Sequence, residues 1–334
     1  MEFTLPAKQP FNFRSVVGSH GWYQLSPFDF DEPAGLLTYI LRLDSGRVGY
    51  SHPAGGPRQG VRVAELRLRP ADGGLSVETD LDLTSEERDQ VRRAVDWMFA
   101  LEMDLSAFYA AVRHEPKLSQ AERNGSGRVL RSPTFFEDVL KTILTTNTLW
   151  AATKRMNRNL IDQFGEPLLA DASRSTPVRA ASPPGRDGLP EVPARGEGSR
   201  RAFPTPERLA TASEAQLRQE TRVGYRAPYV RALAEGAASG ELDLEAFKTS
   251  ELPTLELRKE LMKIKGIGPY AAANLLMLLG RPDFIPIDSW ALKMVSHEWH
   301  NGDPVRPQDV EAAFEQWGQW KGMAYWFWDW TYKG

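Results

Sequence analysis

Residues 61–68 (VRVAELRL) alternate apolar and polar side chains, the period of a half-buried strand. Residues 36–43 (LLTYILRL) are rich in strand formers, and a turn is expected at Asp44-Ser45 before Gly46. Gly73-Gly74 then leads into LSVETDL, so residues 11–80 read as short strands of an antiparallel sheet, with Phe28 and Phe30 as core anchors. The period changes at Thr84. There TSEERDQV carries an N-cap and a capping-box glutamate, Glu87, and Val91, Val95, Met98 and Phe99 follow at helical spacing. A second short helix is expected in LEMDLSAFYAAV, capped at Asp104 or Ser106. Residues 133–164 carry two apolar stripes, Phe136 to Leu144 and Trp150 to Phe164, parted by the polar break Thr145-Thr146-Asn147-Thr148.

Order is interrupted at 171–201, a stretch rich in arginine, proline, glycine and serine with no aromatic residue, which reads as a flexible insertion. Helical spacing resumes after Phe203. GYRAPYV is a turn into an amphipathic helix, and Arg226 and Arg231 in it face either a polyanion or a salt-bridged surface. In 264–269 (IKGIGP), Gly266 and Gly268 make a hairpin and Pro269 sits at a first helical position. Residues 270–279 form a buried helix that stops at Gly280 and Pro282, and Phe284-Ile285-Pro286-Ile287 delivers Asp288 to the start of another. The expected fold is α+β: an N-terminal antiparallel sheet domain (1–83) and a mostly α-helical domain (84–334) containing a helix-hairpin-helix at 261–280.

Composition narrows the function classes. No apolar run is long enough to span a membrane, and MEFTLPAKQP lacks the features of a secretory signal, so a cytoplasmic protein is expected, and it is read separately as a monomer. The absence of cysteine excludes disulfides and thiolate-held metals. No phosphate-loop or dinucleotide fingerprint is present. The formal charge of −3 means that any nucleic-acid surface must be local. Lys259, Lys263 and Lys265 crowd the hairpin, and Lys154, Arg155 and Arg158 lie in a stretch without acids. A glycine turn before a helix is a common entry motif, but its exposed N–H groups also suit a phosphate.

KGIGPYAAA followed by PIDSW resembles the helix-hairpin-helix, glycine/proline-rich, aspartate signature of the base-excision DNA glycosylases. The resemblance extends to the 3-methyladenine DNA glycosylase II and 8-oxoguanine glycosylase branches, through the order of sheet, two-lobed helical bundle and late hairpin. It implies double-stranded DNA with damaged bases as partner, nucleoid association in a bacterium, and phosphate contact at Lys265, Gly266, Ile267 and Gly268. It implies Asp288 as the catalytic carboxylate. On its own segment Asp288 reads first as an N-cap, and the two roles are compatible. Asn147 matches the position that relatives place in the gap left by an extruded base, or it caps the following helix. Arg226 is a further DNA-binding candidate, and GYRAPYV resembles a segment of the same branches. Bifunctional members carry a nucleophilic lysine where this chain has Tyr270, so a monofunctional enzyme is expected. Tyr270 and Trp290 are the candidate walls of a base pocket, stacking on an electron-poor alkylated purine. One or two tryptophans of the C-terminal run WGQWKGMAYWFWDW are expected to join them, whereas His297 and His300 are assigned to the surface. No cofactor is expected: the cysteine-ligated iron–sulfur cluster of some relatives is excluded, and only a structural Na+ or K+ on the hairpin carbonyls is implied. The alternatives are an oxidised-base (8-oxoguanine-type) glycosylase and a non-catalytic DNA-damage binding protein.

Overall fold

A computed structural model describes residues 1–44, 61–168 and 200–330. The Asp44-Ser45 turn and the 171–201 insertion, apart from Arg200 and Arg201, lie outside the described residues. Five strands, β1 (Glu2–Pro6), β2 (Phe28–Asp31), β3 (Leu36–Asp44), β4 (Val61–Ala71) and β5 (Gly74–Glu78), form one antiparallel sheet in the order β1-β5-β4-β3-β2. The alternation seen in the sequence sets its register. Leu37 pairs with Leu68, Tyr39 with Leu66 and Leu41 with Ala64, so these side chains share one buried face. Each such leucine contributes about 2 kcal/mol of burial. The strand β1 and the edge strand β2 were not separately expected. Phe28 of β2 is buried, as expected of an anchor, while Phe30 is half-buried beside Tyr23.

Helices begin at Ser85–Phe99, capped by Thr84 with Glu87 completing the capping box. The next, Ser106–Val112, has Leu105 at its cap position, and Asp104 instead accepts the Ser106 N–H at 2.9 Å. Phe135–Thr145 and Trp150–Phe164 flank the expected polar break. After Pro206–Ala210, Glu214–Thr221 and Ala227–Ser239, the pair Thr254–Lys263 and Pro269–Leu278 forms the helix-hairpin-helix. Ser289–Trp299 and two C-terminal helices, Pro307–Phe314 and Lys321–Trp326, complete the chain.

One continuous apolar core runs through sheet and helices. Where β2 and β3 meet Phe135–Thr145, it encloses a charged cluster. Tyr39 donates to Glu137 at 2.7 Å, Lys141 pairs with Glu137 at 2.6 Å and reaches Ser132 at 3.2 Å, and Trp22 donates its indole N–H to Asp138 at 2.8 Å. Buried charges persist when paired or hydrogen-bonded: Glu137 is paired with Lys141, while Asp138 accepts through Oδ1 and its Oδ2 has no hydrogen-bond partner among the described residues. Burial, followed by the Glu137 charge, drives the Tyr39 phenol well up, and burial raises Asp138 to about 6.

Candidate active site

The hairpin connects Thr254–Lys263 to Pro269–Leu278 through Ile264–Gly268. Gly266 adopts φ +92°, and a Cβ there would lie 2.9 Å from the Tyr229 ring, so both its torsion and its neighbour require glycine. Ile267 is buried, with its amide donating to the Ile264 carbonyl at 3.0 Å, and anchors the turn from beneath. The amides of Gly266 and Gly268 make no hydrogen bond among the described residues, and Gly268 is open to solvent. Lys265 is exposed beside them. Lys259 and Lys263, by contrast, are paired along their own helix with Glu256 and Glu260 at 2.8 and 2.7 Å. The three lysines therefore do not act as one basic cluster.

Beyond Pro269–Leu278 the return loop brings Asp288 to the start of Ser289–Trp299. It is the N-cap, accepting the Ala291 N–H at 2.9 Å through one carboxylate oxygen, and its other oxygen has no partner among the described residues. Asp288 opens into a cavity of about 330 Å³ that is also lined by Tyr270 and Asn274. The Tyr270 phenol is raised by burial and then by the Asp288 charge, and the same two causes push the nearby Tyr325 phenol well up. Thr142, Thr145 and Trp150 reach the cavity from the helices around the polar break. The N-terminal segment supplies His20 and Trp22, and the last helix supplies Trp326.

These walls are closely fitted. A Cβ on Gly21 would fall 2.5 Å from the Trp150 ring, so glycine is needed where the N-terminal segment meets that indole. His20 stacks obliquely on Trp22, with ring centroids 4.6 Å apart, and its Nε2 lies 2.6 Å from the Leu130 carbonyl. A carbonyl only accepts, so Nε2 bears the proton. Burial lowers the His20 pKa to about 4, and the ring is neutral near pH 7.

The family model described as HhH-GPD superfamily base excision DNA repair protein matches residues 140–319, more than half of the chain and all of the hairpin and Asp288. The protein belongs to this superfamily. It is thus a DNA glycosylase of base excision repair, an enzyme that cleaves N-glycosyl bonds. The glycosylase is 24% identical over 244 residues to the DNA-3-methyladenine glycosylase of Bacillus subtilis (strain 168), covering 71% of each chain. It is 32% identical over 118 residues to that organism's putative DNA-3-methyladenine glycosylase YfjP, across 34% of this chain and 39% of the relative. In fold it resembles the 3-methyladenine DNA-glycosylase of Archaeoglobus fulgidus (TM-score 0.66, 19% identity, 97% of each chain). The apo 8-oxoguanine glycosylase/lyase of Clostridium acetobutylicum is similar too (TM-score 0.64, 18% identity, 98% of this chain and 97% of the other).

Within this glycosylase the cavity brings Asp288 and Tyr270 together, but not every expected residue joins them. Trp290 is 45% exposed and does not line the cavity; it stands edge-on to Trp330 at 5.6 Å. Two residues past the cap it points about 200° around the helix from Asp288. Arg226 is buried rather than presented to DNA. Its Nε donates to the Ile143 carbonyl at 3.2 Å and its Nη2 to the Thr146 carbonyl, closing the end of Phe135–Thr145. Arg231 is half-buried and paired with Glu235 at 2.7 Å. Asn147 is exposed in the left-handed region (φ +47°) and does not cap Trp150–Phe164, whose cap residue is Leu149. Leu149 itself is 80% exposed. The sequence reading assigns no role to His20, Trp22 or Leu149, and it places Trp150 only in an apolar stripe. The only local signal was HGW, a polar-aromatic triplet too short to interpret alone.

Proposed function

We propose that the cavity receives a damaged purine turned out of duplex DNA and that Asp288 drives hydrolysis of its bond to deoxyribose. The observation that carries this is one half-buried carboxylate at a helix start, in a cavity walled by Tyr270, Trp22, Trp150 and Trp326. As the base departs, positive charge builds on the sugar. A carboxylate at C1′ stabilises that charge, and its unpartnered oxygen can orient or deprotonate the attacking water. Electron-rich rings favour an alkylated, cationic purine, which is already a good leaving group and needs little acid assistance. Neutral His20 suits such a base, since a charged imidazole would repel it. Among the described residues no lysine lines the cavity, and Tyr270 occupies the sequence position of the nucleophilic lysine of bifunctional members, which supports a monofunctional enzyme that leaves an abasic site.

In this reading the free amides of Gly266 and Gly268 hold a phosphate, with Lys265 adding charge. The Lys265 and Gly266 carbonyls accept no hydrogen bond among the described residues, and they suit a Na+ or K+ ion that would reinforce the hairpin. The exposed loop carrying Asn147 and Leu149 fills the space of the extruded base. Lys154, Arg155 and Arg158 lie exposed on the following helix, near that loop.

The test is base release from duplexes carrying single lesions (an alkylated adenine, 1,N6-ethenoadenine, hypoxanthine, 8-oxoguanine, uracil), with and without alkali. Release of alkylated purine with strand breakage only after alkali is the expected result. Breakage without alkali would show a lyase, and preferential release of 8-oxoguanine would move the substrate to the oxidised class. Tight damaged-DNA binding without any release would leave a binding protein.

A further inference from the structure

Six of the polar side chains that line the cavity share a directional bias. Trp22 gives its indole N–H to Asp138 at 2.8 Å, Trp150 gives its own to Gln24 at 2.9 Å, and Trp326 gives its own to the Ser19 carbonyl at 2.9 Å. The hydroxyls of Thr142, Thr145 and Thr153 donate to the carbonyls of Asp138, Thr142 and Leu144 at 2.7, 2.7 and 3.2 Å. Each of these donors is directed into the protein. What the threonines can still offer to the cavity is an oxygen lone pair.

His20 completes the pattern. With Nε2–H committed to the Leu130 carbonyl, Nδ1 carries the lone pair. Nδ1 has no partner among the described residues, yet it is not one of the fully buried polar atoms left unpaired, so it keeps an accessible face in a residue that lines the cavity. We infer that His20 is a specificity-determining residue: its Nδ1, backed by the threonine oxygens, accepts a hydrogen bond from an N–H of the extruded base. The chemical class so selected is an alkylated adenine that retains its exocyclic amino group. A base whose corresponding edge is an acceptor, such as 1,N6-ethenoadenine, sets lone pair against lone pair and is disfavoured. An acceptor that stays unprotonated near neutral pH, through burial of the ring and the neighbouring Lys141 charge, is suited to this task.

The inference rests on the reading of the cavity as the base site, and the experiment separates the two. Single-turnover release of 3-methyladenine from dimethyl-sulfate-treated DNA and of 1,N6-ethenoadenine from a defined duplex is measured for the wild type and His20→Phe. The ratio of the two rates is expected to fall by about tenfold in the variant, the worth of one hydrogen bond. Parallel loss of both activities would make His20 a packing residue and overturn the inference, while leaving the base site standing. Release of neither base by the wild type would overturn the base-site reading and the inference with it. Should His20→Phe fail to fold, quenching of the cavity tryptophans of the wild type by the two free bases decides the matter. Tighter binding of 3-methyladenine by about tenfold is expected, and equal affinities contradict it.

Discussion

Arg226 holds the Ile143 carbonyl at 3.2 Å, and the same guanidinium reaches Thr146. It therefore braces, from inside, the loop whose exposed tip carries Asn147 and Leu149. Arg226→Ala removes hydrogen bonds from a charged donor and leaves buried carbonyls unsatisfied. A loss of about 2–3 kcal/mol in urea unfolding is expected. Because the guanidinium meets no phosphate, the slope of log affinity for DNA against log salt should not change.

Lys265 gives the opposite pair of results. It is exposed at the hairpin with no ion pair among the described residues. Lys265→Ala should leave stability within about 0.5 kcal/mol of the wild type. It should lower the salt slope of DNA binding by about one, the signature of one lost phosphate contact. An unchanged slope would remove Lys265 from the interface.

Asn147 and Leu149 can be separated by choosing substitutions that respect the backbone. Glycine tolerates the φ of +47° at position 147, so Asn147→Gly deletes the side chain without strain. Leu149 is 80% exposed, and Leu149→Ala should alter stability by no more than about 0.5 kcal/mol. Both variants are expected to weaken binding to a lesion-containing duplex more than to an undamaged one. Equal weakening on both duplexes would mean that neither side chain enters the gap.

The sequence exposes the hairpin and Asp288 because their chemistry is local: two glycines, a proline and a cap within one short stretch. The strand period likewise predicts which face of β3 and β4 is buried. Arg226 was not legible in this way, because an arginine in GYRAPYV looks like surface until its partner, a carbonyl 83 residues earlier, is known. His20 depends on Leu130, 110 residues away, and on two indoles from opposite ends of the chain. Trp290 stands apart from the cavity because adjacency in sequence to Asp288 becomes divergence around a helix.

The buried imidazole also makes a pH prediction. His20 is held near 4, whereas the unfolded chain takes up this proton at about 6.5. Its contribution to stability is therefore complete above about 6.5 and lost as the pH falls towards 4. The thermal midpoint of His20→Phe, relative to the wild type, should rise steadily across that window. Asp138, raised to about 6, has the reverse sign: its contribution is complete below the ordinary carboxylate range and is lost as the pH rises through 6. The midpoint of Asp138→Asn relative to the wild type should accordingly improve with rising pH. Differential scanning of the three proteins from pH 4 to 7 checks both slopes.

Asp288 carries the central claim, and Asp288→Asn tests it most directly. Asparagine is as good an N-cap as aspartate, so the bond from the Ala291 N–H and the fold should survive, with stability within about 1 kcal/mol. The variant loses only the negative charge. Single-turnover release of an alkylated purine, measured beside binding of the same duplex, should fall by on the order of 10³-fold while affinity is retained. Release at the wild-type rate by the folded variant would contradict the account, reducing Asp288 to a helix cap and placing the chemistry elsewhere.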